Sequence, residues 1–252
     1  MTVDAGPFSL GPVGGSGAAV LCLHGLSGTP YEVRGPAESL AAAGFACLGP
    51  LLPGHGESPE QLSGTPRGRW VAEARASWDR LRATHDRVYV MGLSMGGVLA
   101  LDLCAERPVA GALVMAAPLD LGWSVRKLVP GLSRVLRFVP SRSDIRDREA
   151  LERHPSFDRM PLRAVAELIR LGSEVEAKLC SIRAPLRLVY SRGDRTVPLH
   201  NAEHIRSRVA SAVSDVHLLE ESGHVLPVDI ERQRVVALAL EFFRSLEEAA
   251  GH

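Results

Sequence analysis

The stretch Arg87-Val-Tyr-Val-Met-Gly92-Leu-Ser94-Met-Gly96-Gly97-Val98 decides how this chain folds. A β-branched apolar run leads into Gly-x-Ser-x-Gly, and a helix-like run over 98–106 follows. The order is strand, tight turn, helix. A serine at such a turn is thrust out with its hydroxyl exposed, and glycine two positions to either side leaves room for the bend. Ser94 is thereby placed to act as a nucleophile. After Gly97 no glycine interrupts the helix.

Working outward, Ala18-Ala-Val-Leu-Cys-Leu23 is a continuous apolar run, as expected of a strand buried on both faces. Residues 31–43 read as a helix ended by Gly44, and 45–48 as a second short strand. A Gly/Pro-rich loop runs to about Gly68. Residues 69–84 carry Trp70, Ala74, Ser77, Trp78 and Leu81 at helical spacing, and 109–115 read as strand. Strand and helix alternate, which predicts a mostly parallel sheet with helices on both faces.

Over residues 119–181 the alternation stops and no strand is expected. Leu128, Leu132, Val135 and Val139 recur near helical spacing, and Leu162, Val165, Leu168, Ile169, Val175 and Leu179 form a second amphipathic set. This segment reads as a helical insertion packed over the sheet. Alternation then returns: strand 186–190, helix 201–209, strand 213–219 and a closing helix 230–249. The length suits one domain, 1–252, with the insertion at about 119–181.

Composition excludes several function classes. The 252 residues include 29 Lys and Arg against 29 Asp and Glu, which argues against a nucleic-acid or anionic-membrane partner held by charge. Aromatic residues are too few for a base-stacking platform. Cys22, Cys47, Cys104 and Cys180 stand far apart without a Cys-x-x-Cys pair, so neither a disulfide framework nor a metal site is expected. Residues 1–17 hold no apolar signal core, Gly14-Gly-Ser-Gly17 reads as a flexible lead-in, and no run reaches the length of a membrane span. The expectation is a cytoplasmic protein with no integral membrane association.

A serine hydroxyl needs a base to take its proton and a third group to hold that base in the right tautomer. In a doubly wound sheet such groups follow the carboxyl ends of strands. After the strand at 186–190 comes Ser191-Arg-Gly-Asp194-Arg-Thr-Val-Pro198, and after that at 213–219 comes Glu220-Glu-Ser-Gly-His224-Val. Ser94, Asp194 and His224 therefore each follow their own strand, in the chain order of the α/β-hydrolase arrangement. Asp120 is the competing acid. An oxyanion needs fixed backbone donors: Met95, next to the serine at a helix N-terminus, and Leu26, in the loop His24-Gly-Leu-Ser-Gly-Thr-Pro30. His24 and His55 read as structural, Glu221 as pointing elsewhere, and His85, His154, His200, His204 and His217 have no suggestive spacing. No His/Cys/Asp cluster suggests a metal, and no cofactor is implied.

His24-Gly-Leu-Ser-Gly-Thr-Pro30, Pro53-Gly-His-Gly56, Gly92-Leu-Ser-Met-Gly-Gly97, Gly193-Asp-Arg-Thr-Val-Pro198 and Ser222-Gly-His-Val225 together resemble the small bacterial carboxylesterases and monoacylglycerol lipases of the α/β-hydrolase superfamily. The resemblance implies Ser94 as nucleophile, Asp194 as acid, His224 as base and the amides of Leu26 and Met95 as oxyanion hole. It also implies a small cap over residues 119–181 that roofs an acyl pocket. The chain departs from the family at Leu26, where many relatives carry an aromatic residue; the backbone donor is kept and the pocket wall is less bulky. The expected substrate is a small-molecule acyl ester of short to medium chain, received by an apolar cap through Trp123, Leu128, Leu132, Val135, Leu136 and Phe138. Monoacylglycerol hydrolysis, carbon–carbon bond hydrolysis with the same triad, and an inactive ligand-binding hydrolase fold are the competing readings.

Overall fold

The computed structural model describes residues 3–12 and 17–251. The lead-in at 14–17 therefore lies, apart from Gly17, outside the described residues. In chain order the elements are β1 (Phe8–Leu10), β2 (Ala18–Leu23), α1 (Tyr31–Ala42), β3 (Ala46–Gly49), α2 (Pro59–Gly64), α3 (Arg67–Arg82), β4 (Arg87–Leu93), α4 (Met95–Glu106) and β5 (Ala112–Met115). An intervening region holds α5 (Trp123–Leu132), β6 (Phe138–Pro140), α6 (Arg148–Arg153), β7 (Arg159–Pro161) and α7 (Leu162–Glu176). Last come β8 (Leu186–Ser191), α8 (His200–Arg206), β9 (Ser214–Leu219) and α9 (Arg232–Ala250).

Among the described residues seven strands form one sheet in the order β1-β3-β2-β4-β5-β8-β9. Every pairing is parallel except that of β1 with β3. This is the α/β-hydrolase fold. The apolar run of β2 is buried at all six positions because both faces of the sheet are covered. Ala19, Leu21 and Leu23 meet Trp70, Trp78 and Leu99 on one side; Val20 and Cys22 belong with Val33, Leu40 and Phe243 on the other. Cys22, Cys47 and Cys104 are buried and Cys180 is exposed, all four as free thiols.

Four expectations need correction. The edge strand β1 was not expected; it has three residues, too few to show a period. The region after β5 is not purely helical, because β6 and β7 form an antiparallel ribbon with Val139 opposite Met160. The apparent helical series through Val135 and Val139 breaks as well. α5 ends at Leu132, and Val139 sits in β6 next to Pro140, which cannot donate a helical hydrogen bond. The Gly/Pro-rich loop also holds the short helix α2, capped by Ser58 Oγ on the Gln61 amide.

Candidate active site

Loops at the carboxyl ends of β4, β8 and β9 bring Ser94, Asp194 and His224 together. Ser94 Oγ lies 2.9 Å from His224 Nε2, and His224 Nδ1 lies 2.8 Å from Asp194 Oδ2. A carboxylate on Nδ1 keeps the ring proton there and leaves Nε2 free to accept from the hydroxyl. Ser94 has φ 55° and ψ −117°, a backbone conformation that side chains other than glycine rarely adopt. It is pinned by its amide, which donates to Met115 O at 2.8 Å. A Cβ on Gly92 would stand 2.2 Å from Gly96 O, and one on Gly96 would stand 2.1 Å from Leu23 O. Both glycines of the motif are thus required by close backbone approach.

Burial disfavours the charged form of Asp194, but the His224 charge and hydrogen bond outweigh it, with help from the Val197 and Thr196 amides at 2.9 and 2.7 Å. Its carboxyl is held below the usual range. Burial likewise works against protonated His224, and is outweighed by Asp194, with smaller contributions from Glu32 and Asp144. The imidazole is therefore held above its ordinary value.

Met95 opens α4, and Leu26 lies in the loop after β2. Among the described residues neither amide donates a hydrogen bond to the protein. Leu26 and Ser94 line one pocket of about 340 Å³, together with His224, Leu121, Met160 and Leu168. The competing acid lies elsewhere: Asp120 accepts from the Gly122 amide and sits 3.2 Å from His200, away from His224. Glu221 is exposed, with its amide donating to Glu231.

His24 and His55 are structural, as read. His24 Nδ1 donates to Gly25 O and Nε2 accepts from the Leu52 amide. Burial, with His24 beside it, pushes His55 down to about 3, so that ring is neutral.

His154 is a correction. It lies on the pocket wall, with Nε2 3.0 Å from Glu32 Oε1 and Nδ1 2.8 Å from Ser143 Oγ. Glu32 Oε2 in turn accepts from the Gly25 amide at 2.7 Å, so this buried carboxylate holds the loop that carries Leu26. Burial opposes the Glu32 charge, and His154, His24 and the Gly25 amide together more than offset it, leaving the carboxyl below its usual range. Glu32 was legible in one respect. It stands at the head of the series Glu32, Pro36, Leu40, all buried, which is a carboxylate on the core stripe of α1.

The apolar residues assigned to the pocket roof are also corrected. The pocket's apolar lining comes from Leu26, Leu121, Met160, Val165, Leu168 and Val197, whereas Trp123, Leu128 and Val135 face solvent. α5 packs along α7 on the outside and leaves the pocket side to α7 and to the chain around Pro140.

A second missed carboxylate, Asp229, is fully buried and accepts from the amides of Arg146, Asp147, Gly223 and Ile230. It ties the region between β5 and β8 to the loop that carries His224. That loop is also held by the His224 amide, which donates to Asp144 O at 2.8 Å. Asp229→Ala would strand four backbone donors, at about 1–3 kcal/mol for each that stays buried and unpaired. The expected loss is about 3 kcal/mol or more by urea denaturation, and a loss under about 1 kcal/mol would contradict this role.

Known proteins bear out the architecture. The sequence profile of the family described as serine aminopeptidase, S33, matches residues 15–231, and the chain belongs to this family. A thermostable monoacylglycerol lipase from Bacillus sp. (strain H-257) is 32% identical over 235 residues, spanning 92% of this chain and 91% of that protein. A carboxylesterase from Bacillus subtilis (strain 168) is 28% identical over 234 residues, spanning 92% and 95%. The solved structure of a metagenome-derived lipolytic enzyme, 28% identical, matches with a TM-score of 0.88 over 97% of this chain and all of that one.

Proposed function

We propose that this chain hydrolyses carboxylic esters of short to medium acyl length through an acyl-serine intermediate. The observation that carries the reading is the Asp194–His224–Ser94 relay, with links of 2.8 and 2.9 Å, ending on a serine in strained backbone. His224 Nε2 takes the Ser94 proton as Oγ bonds to the ester carbonyl carbon. The Leu26 and Met95 amides receive the oxyanion. The bond between the former carbonyl carbon and the alcohol oxygen then breaks, and His224 returns the proton to that leaving oxygen. Water repeats the cycle: His224 takes its proton as the water oxygen bonds to the acyl carbon, the acyl–Oγ bond breaks, His224 returns the proton to Ser94 Oγ, and the acid leaves. Every proton passes through one imidazole. Residues 119–181 are read as a cap belonging to the same domain.

The pocket volume of about 340 Å³ suits a small ester, and its apolar wall suits an uncharged acyl chain. Monoacylglycerol hydrolysis is the second reading. It is favoured by Ser143 on the same pocket wall, whose hydroxyl keeps one hydrogen-bonding position beyond His154 and Ser156 for an alcohol bearing free hydroxyls. A rate profile over p-nitrophenyl esters of about two to twelve carbons, with monoacylglycerols alongside, separates the two. The chemistry itself is tested with a fluorophosphonate. One adduct on Ser94 is expected; an unlabelled protein, or a label on another residue, would refute the proposal.

The raised His224 pKa sets the pH dependence. The base form is required, so a pKa above the ordinary 6.5 delays its appearance as pH rises. The acid limb of kcat/KM is expected to have its midpoint above 6.5. Glu32→Gln keeps an acceptor for the Gly25 amide but removes one charge that favours protonated His224, so the limb should move down. An unmoved limb would remove Glu32 from the electrostatics of the site.

A further inference from the structure

The loop that carries the Leu26 amide is bent around a carboxylate. The Gly25 amide donates to Glu32 Oε2 at 2.7 Å, and the Gly28 amide closes the turn on Gly25 O at 3.3 Å. A Cβ on Gly28 would stand 2.2 Å from Glu32 Oε1, so the backbone lies directly against the charged group. Between the two glycines Ser27 has φ 63°, a left-handed conformation that persists where the surroundings impose it. Glu32 stands in the first turn of α1, and its side chain is 5% exposed. A carboxylate at that depth needs donors on both oxygens. Oε2 has the Gly25 amide. For Oε1 the one donor among the described residues is His154 Nε2, at 3.0 Å. The His154 side chain is 2% exposed and is fixed at its other nitrogen by Ser143 Oγ, 2.8 Å from Nδ1. It follows α6, whose start is capped by Asp147 on the Glu149 and Ala150 amides. An ionised carboxylate on Nε2 keeps a proton there in both charge states of the ring, so His154 donates to Glu32 in either.

We propose that His154 is a positioning residue for the oxyanion hole: by donating to Glu32 it fixes the carboxylate that aims the Leu26 amide. The inference rests on the ester-hydrolase reading of the site. A buried ion pair is by itself weak evidence for stability, and two apolar side chains could fill the same space. What they could not do is accept the Gly25 amide. Without the Nε2 donor, the carboxylate must take a proton or turn toward water, and either change weakens its hold on that amide. The Leu26 donor is then misplaced when the oxyanion forms, while binding of the uncharged ester is little altered. The triad is held separately. The Arg195 amide donates to Asp144 Oδ2 and the His224 amide to Asp144 O, both at 2.8 Å, so the loops of Asp194 and His224 do not depend on His154.

The test uses two substitutions that part the ring nitrogens. Glutamine sets its amide NH₂ near the place of Nε2, and asparagine sets its own near Nδ1. His154→Asn is expected to lower kcat on p-nitrophenyl butyrate by about tenfold to a hundredfold, approaching the loss of one oxyanion donor, with KM changed less than about threefold. His154→Gln should recover most of that loss. A trifluoromethyl ketone with an alkyl chain supplies the second readout. Ser94 Oγ bonds to its carbonyl carbon, the Ser94 proton passes to His224, and the resulting oxyanion occupies the hole. Its inhibition constant should rise in His154→Asn by the factor that kcat/KM falls. A merely structural loss would reduce the amount of active enzyme and leave that constant unchanged. Because His154 acts through Glu32, adding His154→Asn to Glu32→Ala should slow the enzyme no further. Given an active wild type, full kcat in His154→Asn, a severe His154→Gln beside a mild His154→Asn, an unmoved inhibition constant, or additive loss in the double variant would overturn the inference alone. A wild-type chain that neither hydrolyses the ester nor takes a fluorophosphonate would remove the ester-hydrolase reading and the inference with it.

Discussion

Replacing Asp194 by Asn is expected to lower kcat by about 10⁴-fold, while Asp120→Asn changes it less than about tenfold. The difference follows from what each carboxylate faces. Asp194 Oδ2 meets His224 Nδ1, and its Oδ1 is held by two amides of the following turn. In the asparagine variant Oδ1 can still accept from Thr196 and Val197, so the turn is kept. The atom facing Nδ1 becomes an NH₂, however, and a donor there drives the ring proton to Nε2. That proton then blocks Nε2 from accepting the Ser94 hydroxyl proton. Asp120 has no route to His224; it organises the Gly122 turn and approaches His200. Steady-state rates with a p-nitrophenyl ester check the pair. A mild Asp194→Asn beside a severe Asp120→Asn would move the acid to the loop after β5.

Much of this arrangement was legible because it is local. Strands β2, β4 and β5 carry near-continuous apolar runs, and Ser94, Asp194 and His224 follow β4, β8 and β9 within a few residues. A parallel sheet then converts chain order into spatial proximity, since all carboxyl ends lie on one edge. What escaped reading depends on pairing across distance. His154 and Glu32 are 122 positions apart and look unremarkable singly; only the fold sets them 3.0 Å apart. β6 and β7 have three residues each and gain strand geometry only from one another. The apolar residues of α5 have the composition of a pocket wall, but composition does not say which way a helix turns. Asp229 follows a short 3₁₀ turn, where an aspartate ordinarily makes local turn contacts, and its partners at Arg146 and Asp147 come from the region between β5 and β8.

Ser94→Ala is expected to reduce kcat by about 10⁴-fold or more and to abolish fluorophosphonate labelling. The double variant Ser94→Ala, Asp194→Asn should be scarcely slower than Ser94→Ala alone. The aspartate acts through the histidine, and the histidine through the hydroxyl, so removing the hydroxyl leaves the other two nothing to activate. The remaining rate would reflect pocket binding and the Leu26 and Met95 amides, which the substitution leaves in place. Stability supplies an independent reading of the same residue. Alanine keeps a Cβ at φ 55° and so keeps the backbone strain, whereas glycine relieves it. Ser94→Gly is therefore expected to be as inactive as Ser94→Ala yet more stable by about 1 kcal/mol, measured by urea denaturation. A serine that served only the fold would not lose activity in both variants while gaining stability in one. If the double variant fell by the product of the single effects, the three side chains would be acting independently, and the relay through His224 would fail as the mechanism.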